Sequence, residues 1–105
     1  MKDKLLKTFD SLLNEFDFEM VHKCMKAMDW QWAVIGCVPT IKHMKKHVQE
    51  LFNSLILECF CENLERCSLS SGGFSLTVNK TNDDITLDLE FIIEDHSISV
   101  SEIED

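Results

Sequence analysis

The hydrophobic period of the chain changes at residues 70–79, which read Ser70-Ser71-Gly72-Gly73-Phe74-Ser75-Leu76-Thr77-Val78-Asn79. Before this stretch the apolar residues recur every three or four positions, as on one face of a helix. Within it they alternate with polar residues, as on a strand with one buried face. Glycines commonly end helices, and here two of them stand at the change of period. The sequence therefore predicts a helical part at 1–67 and a β part at 74–100.

Three amphipathic helices are predicted in the helical part. The first covers residues 3–14, and the second runs from a capping residue, Asp17, to about Asp29. The third is a central helix of about 20 to 25 residues that begins after Thr40. The stretch 30–38 has no helical period, so we expect it to form an ordered, largely apolar connection.

Two strands are predicted in the β part, at 74–79 and 85–93, and residues 98–100 are expected to add a short third strand. The predicted fold class is α+β. Two short N-terminal helices and one long central helix would pack on a C-terminal antiparallel β-hairpin or three-stranded sheet. We expect one domain at 1–105, ending in an acidic tail at 101–105.

Charge is distributed unevenly along the chain. Ten Lys and Arg face nineteen Asp and Glu, and the formal net charge is −9. From Thr81 onward there are nine carboxylates and no Lys or Arg. This field disfavours direct binding to nucleic acid or to an anionic membrane, and it favours a basic protein surface. We therefore expect a basic protein as partner, with nucleic-acid-binding proteins as one class of candidate.

Location and redox state follow from what the sequence lacks. No apolar run is long enough for a signal-peptide core or a membrane span, so we expect a cytoplasmic protein. Five cysteines, an odd number, then predict reduced thiols and no disulfide framework.

Three short motifs carry a resemblance to known proteins: Ala27-Met28-Asp29-Trp30-Gln31-Trp32, Val38-Pro39-Thr40 and Gly72-Gly73-Phe74. With them the chain resembles small uncharacterised proteins encoded by bacteriophages and prophages, from about Phe18 to Glu94. The resemblance implies an accessory role in the cytoplasm of a bacterial host. Such roles include inhibiting a host or defence component and sequestering a signalling nucleotide. No catalytic residue is implied.

An acidic face is the first candidate site. On the second predicted strand the outward positions carry carboxylates, and more follow at its two turns. A regular row of negative charge resembles what a nucleic-acid backbone presents to the Lys and Arg of a binding protein. The alternative is that the carboxylates only keep the sheet soluble and guard its edge. The residues of this face are Asp83, Asp84, Asp88, Glu90, Glu94 and Asp95.

A ligand site is the second candidate. Glycines allow successive backbone N–H groups to point at one phosphate, and nearby basic side chains would add charge. The residues concerned are Ser71, Gly72, Gly73, His43 and Lys46. Trp30 and Trp32 are candidate aromatic anchors for a partner, with the alternative that both seal the ends of helices.

Metal and catalytic sites are not expected. His43 and His47 have the four-residue spacing of zinc ligands, but the lysines between them repel a cation. Cys59, Cys61 and Cys67 cluster, but Cys59 and Cys61 point about 200° apart on a helix. Cys59 lies on the apolar stripe, so we expect it to be a buried small hydrophobe. No serine, histidine or lysine stands beside paired carboxylates at a spacing that fixes a mechanism. We predict no cofactor and no enzymatic activity.

The functional prediction is a non-enzymatic binding protein that inhibits a bacterial host or defence component through its acidic face. Two alternatives remain open. One is a protein that sequesters a nucleotide or another signalling ligand. The other is a homo-oligomeric structural or assembly module formed through the central helix, in which a basic half meets an acidic half.

Overall fold

Three helices precede four strands in this computed structural model, which describes residues 2–61, 65–80, 85–93 and 96–104. The helices are α1 (Lys2–Glu15), α2 (Phe18–Ala27) and α3 (Ile41–Cys61). The strands are β1 (Arg66–Ser71), β2 (Phe74–Lys80), β3 (Ile85–Ile93) and β4 (His96–Glu104). The predicted α+β class and the predicted order of helices before strands are confirmed.

Side-chain caps begin α2 and α3 where the sequence predicts them. The carboxylate of Asp17 accepts a hydrogen bond of 3.0 Å from the Met20 N–H. At α3 the Thr40 hydroxyl oxygen accepts from the His43 N–H at 3.2 Å. The imidazole Nδ1 of His43 in return accepts from the Thr40 N–H at 3.2 Å. This reciprocal pair is a capping box in which histidine takes the position usual for Glu or Gln.

The sheet is an antiparallel meander in the order β1-β2-β3-β4. It has four strands where we expected two or three, because residues 66–71 pair with β2. Gly72 and Gly73 therefore form a two-residue hairpin turn between β1 and β2, and they do not end a helix. Both have positive φ, +62° and +90°, as this hairpin class requires. At the other end β4 continues to Glu104, so residues 101–104 belong to the sheet and not to a tail.

One face of the sheet is covered by helices. Helix α3 packs against β1 and β2, and α1 packs against β3 and β4. The core between them contains the stacked rings of Phe9 and Phe52, with centroids 3.9 Å apart. The inward side chains of β2 and β3 are all buried: Phe74, Leu76, Val78, Ile85, Leu87, Leu89, Phe91 and Ile93. Among the described residues, no helix covers the other face, here called the outer face.

Candidate functional site

Among the described residues, the outer face carries two carboxylates between rows of small hydroxyl residues. Asp88 on β3 pairs with Thr77 of β2 and Ser101 of β4. Glu90, two residues further along, pairs with Ser75 and Ser99. The rows extend to β1, where Ser68 and Ser70 pair with Thr77 and Ser75. Each carboxylate therefore occupies one position in a row of four whose other members are hydroxyl residues.

Short side chains leave an open trough over this face. Its volume is about 480 Å³. The Ser68 and Thr77 hydroxyls lie 3.0 Å apart, and the Ser70 hydroxyl donates to that of Ser75 at 3.0 Å. The trough is lined chiefly by Arg66, Ser68, Ser75, Thr77, Asp88, Glu90 and Ser99.

The carboxyl group of Asp88 has an altered acidity. Burial within the trough raises its pKa above the ordinary value of 3.8, and the positive charge of Arg66 partly offsets this rise. The ionised carboxylate is therefore less favourable on the folded protein than in water. A cation placed beside it would reverse that effect.

We expect the titration of Asp88 to show this directly. NMR detection of its side-chain carbonyl should give a pKa above 3.8, and Arg66→Met should raise the pKa further because it removes the opposing charge. The folded state then binds this proton more tightly than the unfolded chain. Asp88 should consequently lower the free energy of unfolding as pH rises from 3.8 through the folded pKa. The variant Asp88→Asn should lack this pH dependence, and a pKa at or below 3.8 would contradict the interpretation.

Four carboxylates of the predicted acidic face lie outside the described residues: Asp83, Asp84, Glu94 and Asp95. Within the described residues the row is therefore two carboxylates long, Asp88 and Glu90. Arg66 was missed from the sequence because β1 was missed. The alternation of apolar Cys67 and Leu69 with polar Arg66, Ser68 and Ser70 was the sequence signal that could have identified β1.

A second cavity, here called the Trp32 cleft, lies between the loop 31–35, one face of α3 and the β1–β2 turn. Its volume is about 530 Å³. The Trp32 indole Nε1 donates to the Gly72 carbonyl at 3.3 Å, and the His47 Nε2 donates to the Ser71 carbonyl at 3.0 Å. The two rings contact each other with centroids 4.9 Å apart. The cleft is lined by Gln31, Trp32, Ala33, Val34, Ile35, His43, Lys46, His47, Glu50, Ser71 and Gly72.

The fold brings together most of the residues of the predicted ligand site. His43, Lys46, Ser71 and Gly72 all line the Trp32 cleft. Gly73 does not line the cleft; its backbone lies against the ring of Phe91. The turn presents carbonyl oxygens to the cleft, and these accept the hydrogen bonds from Trp32 and His47. The basic side chains at this site belong to α3.

The two tryptophans occupy different surroundings. The Trp30 ring packs edge-on against Phe91, with centroids 6.1 Å apart, and it covers the backbone at Gly73. Trp30 thus closes the end of the core. Trp32 is half-buried and forms a wall of the cleft.

Metal-binding groups are not assembled within the described residues, since no three His, Cys, Asp or Glu side chains are placed to hold one ion. His43 bonds to Thr40 while His47 bonds to the turn. Cys67 is buried in the core, and the side chains of Cys59 and Cys61 lie outside the described part.

No family model, curated protein or solved structure matches the chain. Among the helices described, none is long and apolar enough to cross a membrane.

Proposed function

We propose that this chain is a non-enzymatic binding protein whose outer face receives basic side chains of another protein. The trough supports the proposal most directly, because it presents Asp88 and Glu90 on a sheet face that none of the three described helices covers. On the basis of the motifs that resemble bacteriophage proteins, we extend the proposal to an inhibitor of a basic bacterial protein.

Shape and hydrogen bonding favour long cationic side chains as the occupants. The hydroxyl residues beside each carboxylate are short, so a lysine or arginine could lie across the strands without displacing them. Hydroxyl oxygens accept hydrogen bonds from ammonium and guanidinium groups as well as from each other. A guanidinium or ammonium group between Asp88 and Glu90 would meet two carboxylates about 6.6 Å apart along the strand.

Burial of Asp88 adds a reason for binding. Its carboxylate loses hydration on folding, and Arg66 offsets only part of that loss. A partner cation would supply the missing stabilisation at a site that is already partly desolvated. Such charge pairs increase the association rate and are sensitive to salt.

The experiment is affinity capture from bacterial lysate with three immobilised proteins. The wild type is compared with Asp88→Lys/Glu90→Lys, and with the control Asp10→Lys/Glu58→Lys. Both double variants change the net charge from −9 to −5, because each of two substitutions adds two units. The control residues are exposed on α1 and α3, which cover the opposite side of the sheet.

We expect a basic protein that wild type and control retain at low salt, that high salt releases, and that the trough variant does not retain. Neutral substitutions Asp88→Asn/Glu90→Gln should also weaken retention, and circular dichroism should show that each variant is folded. Equal retention by wild type, trough variant and control would refute the proposal.

A further inference from the structure

We propose that the Trp32 cleft binds a small anion that carries a flat aromatic ring, the class to which nucleoside monophosphates belong. The ring would lie against Trp32 and the loop beside it, and the anionic group would lie at His43 and Lys46. This site is separate from the outer face and does not depend on it.

The Trp32 side chain is anchored by a hydrogen bond and by ring contacts although it is only half-buried. Its Nε1 donates to the Gly72 carbonyl, and its backbone N–H donates to the Cys37 carbonyl at 3.0 Å. Its own carbonyl accepts from the N–H groups of Ile35 and Gly36 at 3.2 and 2.8 Å. A Cβ at Gly72 would lie 3.2 Å from both the indole and the His47 ring. Such prior ordering reduces the entropy lost when a ligand stacks on the ring.

The loop beside Trp32 adds an apolar wall. Loop tips are usually polar, yet here Ala33, Val34 and Ile35 are all exposed, and Val34 is 96% exposed. All three line the cleft. A contiguous apolar surface left in water beside a preformed cavity is typical of a binding site.

The charged side of the cleft comes from one stripe of α3. His43, Lys46, His47 and Glu50 recur at three- and four-residue spacing and line the cavity together. The Nδ1 of His43 accepts from Thr40, so the neutral ring carries its hydrogen on Nε2. Within the described residues this Nε2 donor has no hydrogen-bond partner. Lys46 is exposed next to it, one turn before Glu50, so the anionic group belongs at the His43–Lys46 end.

Size agrees with this ligand class. Sites for small ligands usually enclose about 300–1,000 Å³ and combine apolar walls with a few polar groups. The Trp32 cleft, at about 530 Å³, falls inside that range and has this composition. Base stacking on an aromatic side chain contributes about 1–3 kcal/mol.

Fluorescence of Trp32 tests the proposal. The chain has two tryptophans, so Trp30→Phe leaves Trp32 as the only indole. We expect AMP to quench its emission in the low-millimolar range or below, and adenosine and inorganic phosphate to bind about tenfold more weakly. Lys46→Gln should weaken AMP binding severalfold, and Glu50→Gln should strengthen it. The matched control, Lys23→Gln on α2, should leave it unchanged.

Three results would overturn the proposal. One is the absence of quenching up to about 10 mM AMP. Another is binding of adenosine as strongly as AMP, which would show that the anionic group contributes nothing. Equally strong binding of phosphate would show the same for the ring. The third is equal binding by Lys46→Gln and Lys23→Gln. If Trp30→Phe does not fold, the indole N–H signal of Trp32 in the NMR spectrum of the wild type gives the same readout.

Discussion

Replacing Phe52 by alanine should lower the free energy of unfolding by about 3–5 kcal/mol. The Phe52 side chain is fully buried, and its ring stacks on Phe9 between α1 and α3. Truncation loses the free energy gained when the ring is transferred out of water, and it leaves a cavity. The sheet and both helices restrict how far the surrounding side chains can collapse into this cavity. Small domains are stable by only about 5–15 kcal/mol, so this loss should shift the urea midpoint strongly.

Leu57→Ala is the matched control on the same helix. Leu57 is 64% exposed, so its truncation should change stability by less than about 0.5 kcal/mol. Urea unfolding followed by circular dichroism compares the two variants. A loss below about 1 kcal/mol for Phe52→Ala would mean that the stacked pair is not part of a tightly packed core.

Periodicity predicted the helices well because each one buries a single stripe. Asp17 and Thr40 marked the beginnings of α2 and α3 through local hydrogen bonds, which depend only on neighbouring residues. Strand β1 was missed because its outward positions are serines and an arginine, and only Cys67 and Leu69 mark its inner side. Its pairing with β2 depends on a turn that the sequence also allowed as a helix end.

The sequence predicted several residues of each candidate site, but not which residues from other strands or loops would lie beside them. Outward alternation placed Asp88 and Glu90 correctly on one face of β3. The hydroxyl rows around them could not be foreseen, since they require the register of β1, β2 and β4. In the same way Trp32 and His47, fifteen positions apart, meet at the β1–β2 turn, which accepts a hydrogen bond from each. Contacts between distant elements are set by tertiary pairing, which a single sequence does not display.

Gly73→Ala in the β1–β2 turn is expected to be strongly destabilising. Gly73 has φ = +90°, a region that residues with a Cβ rarely occupy, and an added Cβ would lie 2.7 Å from Phe91 Cε1. It would also lie 3.1 Å from the Trp30 ring, so neither aromatic side chain could move away freely. Backbone strain and overpacking together should cost about 2–4 kcal/mol. Thermal unfolding of the variant measures this cost.

Gly36→Ala separates the two causes. Gly36 also has a positive φ, +68°, but an added Cβ there would meet nothing within 4 Å. This variant should therefore carry only the backbone term, about 1 kcal/mol. The difference between the variants then isolates the contact of residue 73 with Phe91 and Trp30. Equal losses of stability in both variants would show that Phe91 and Trp30 can shift to make room for the added Cβ. The packing of Trp30 on the hairpin turn would then contribute little to stability.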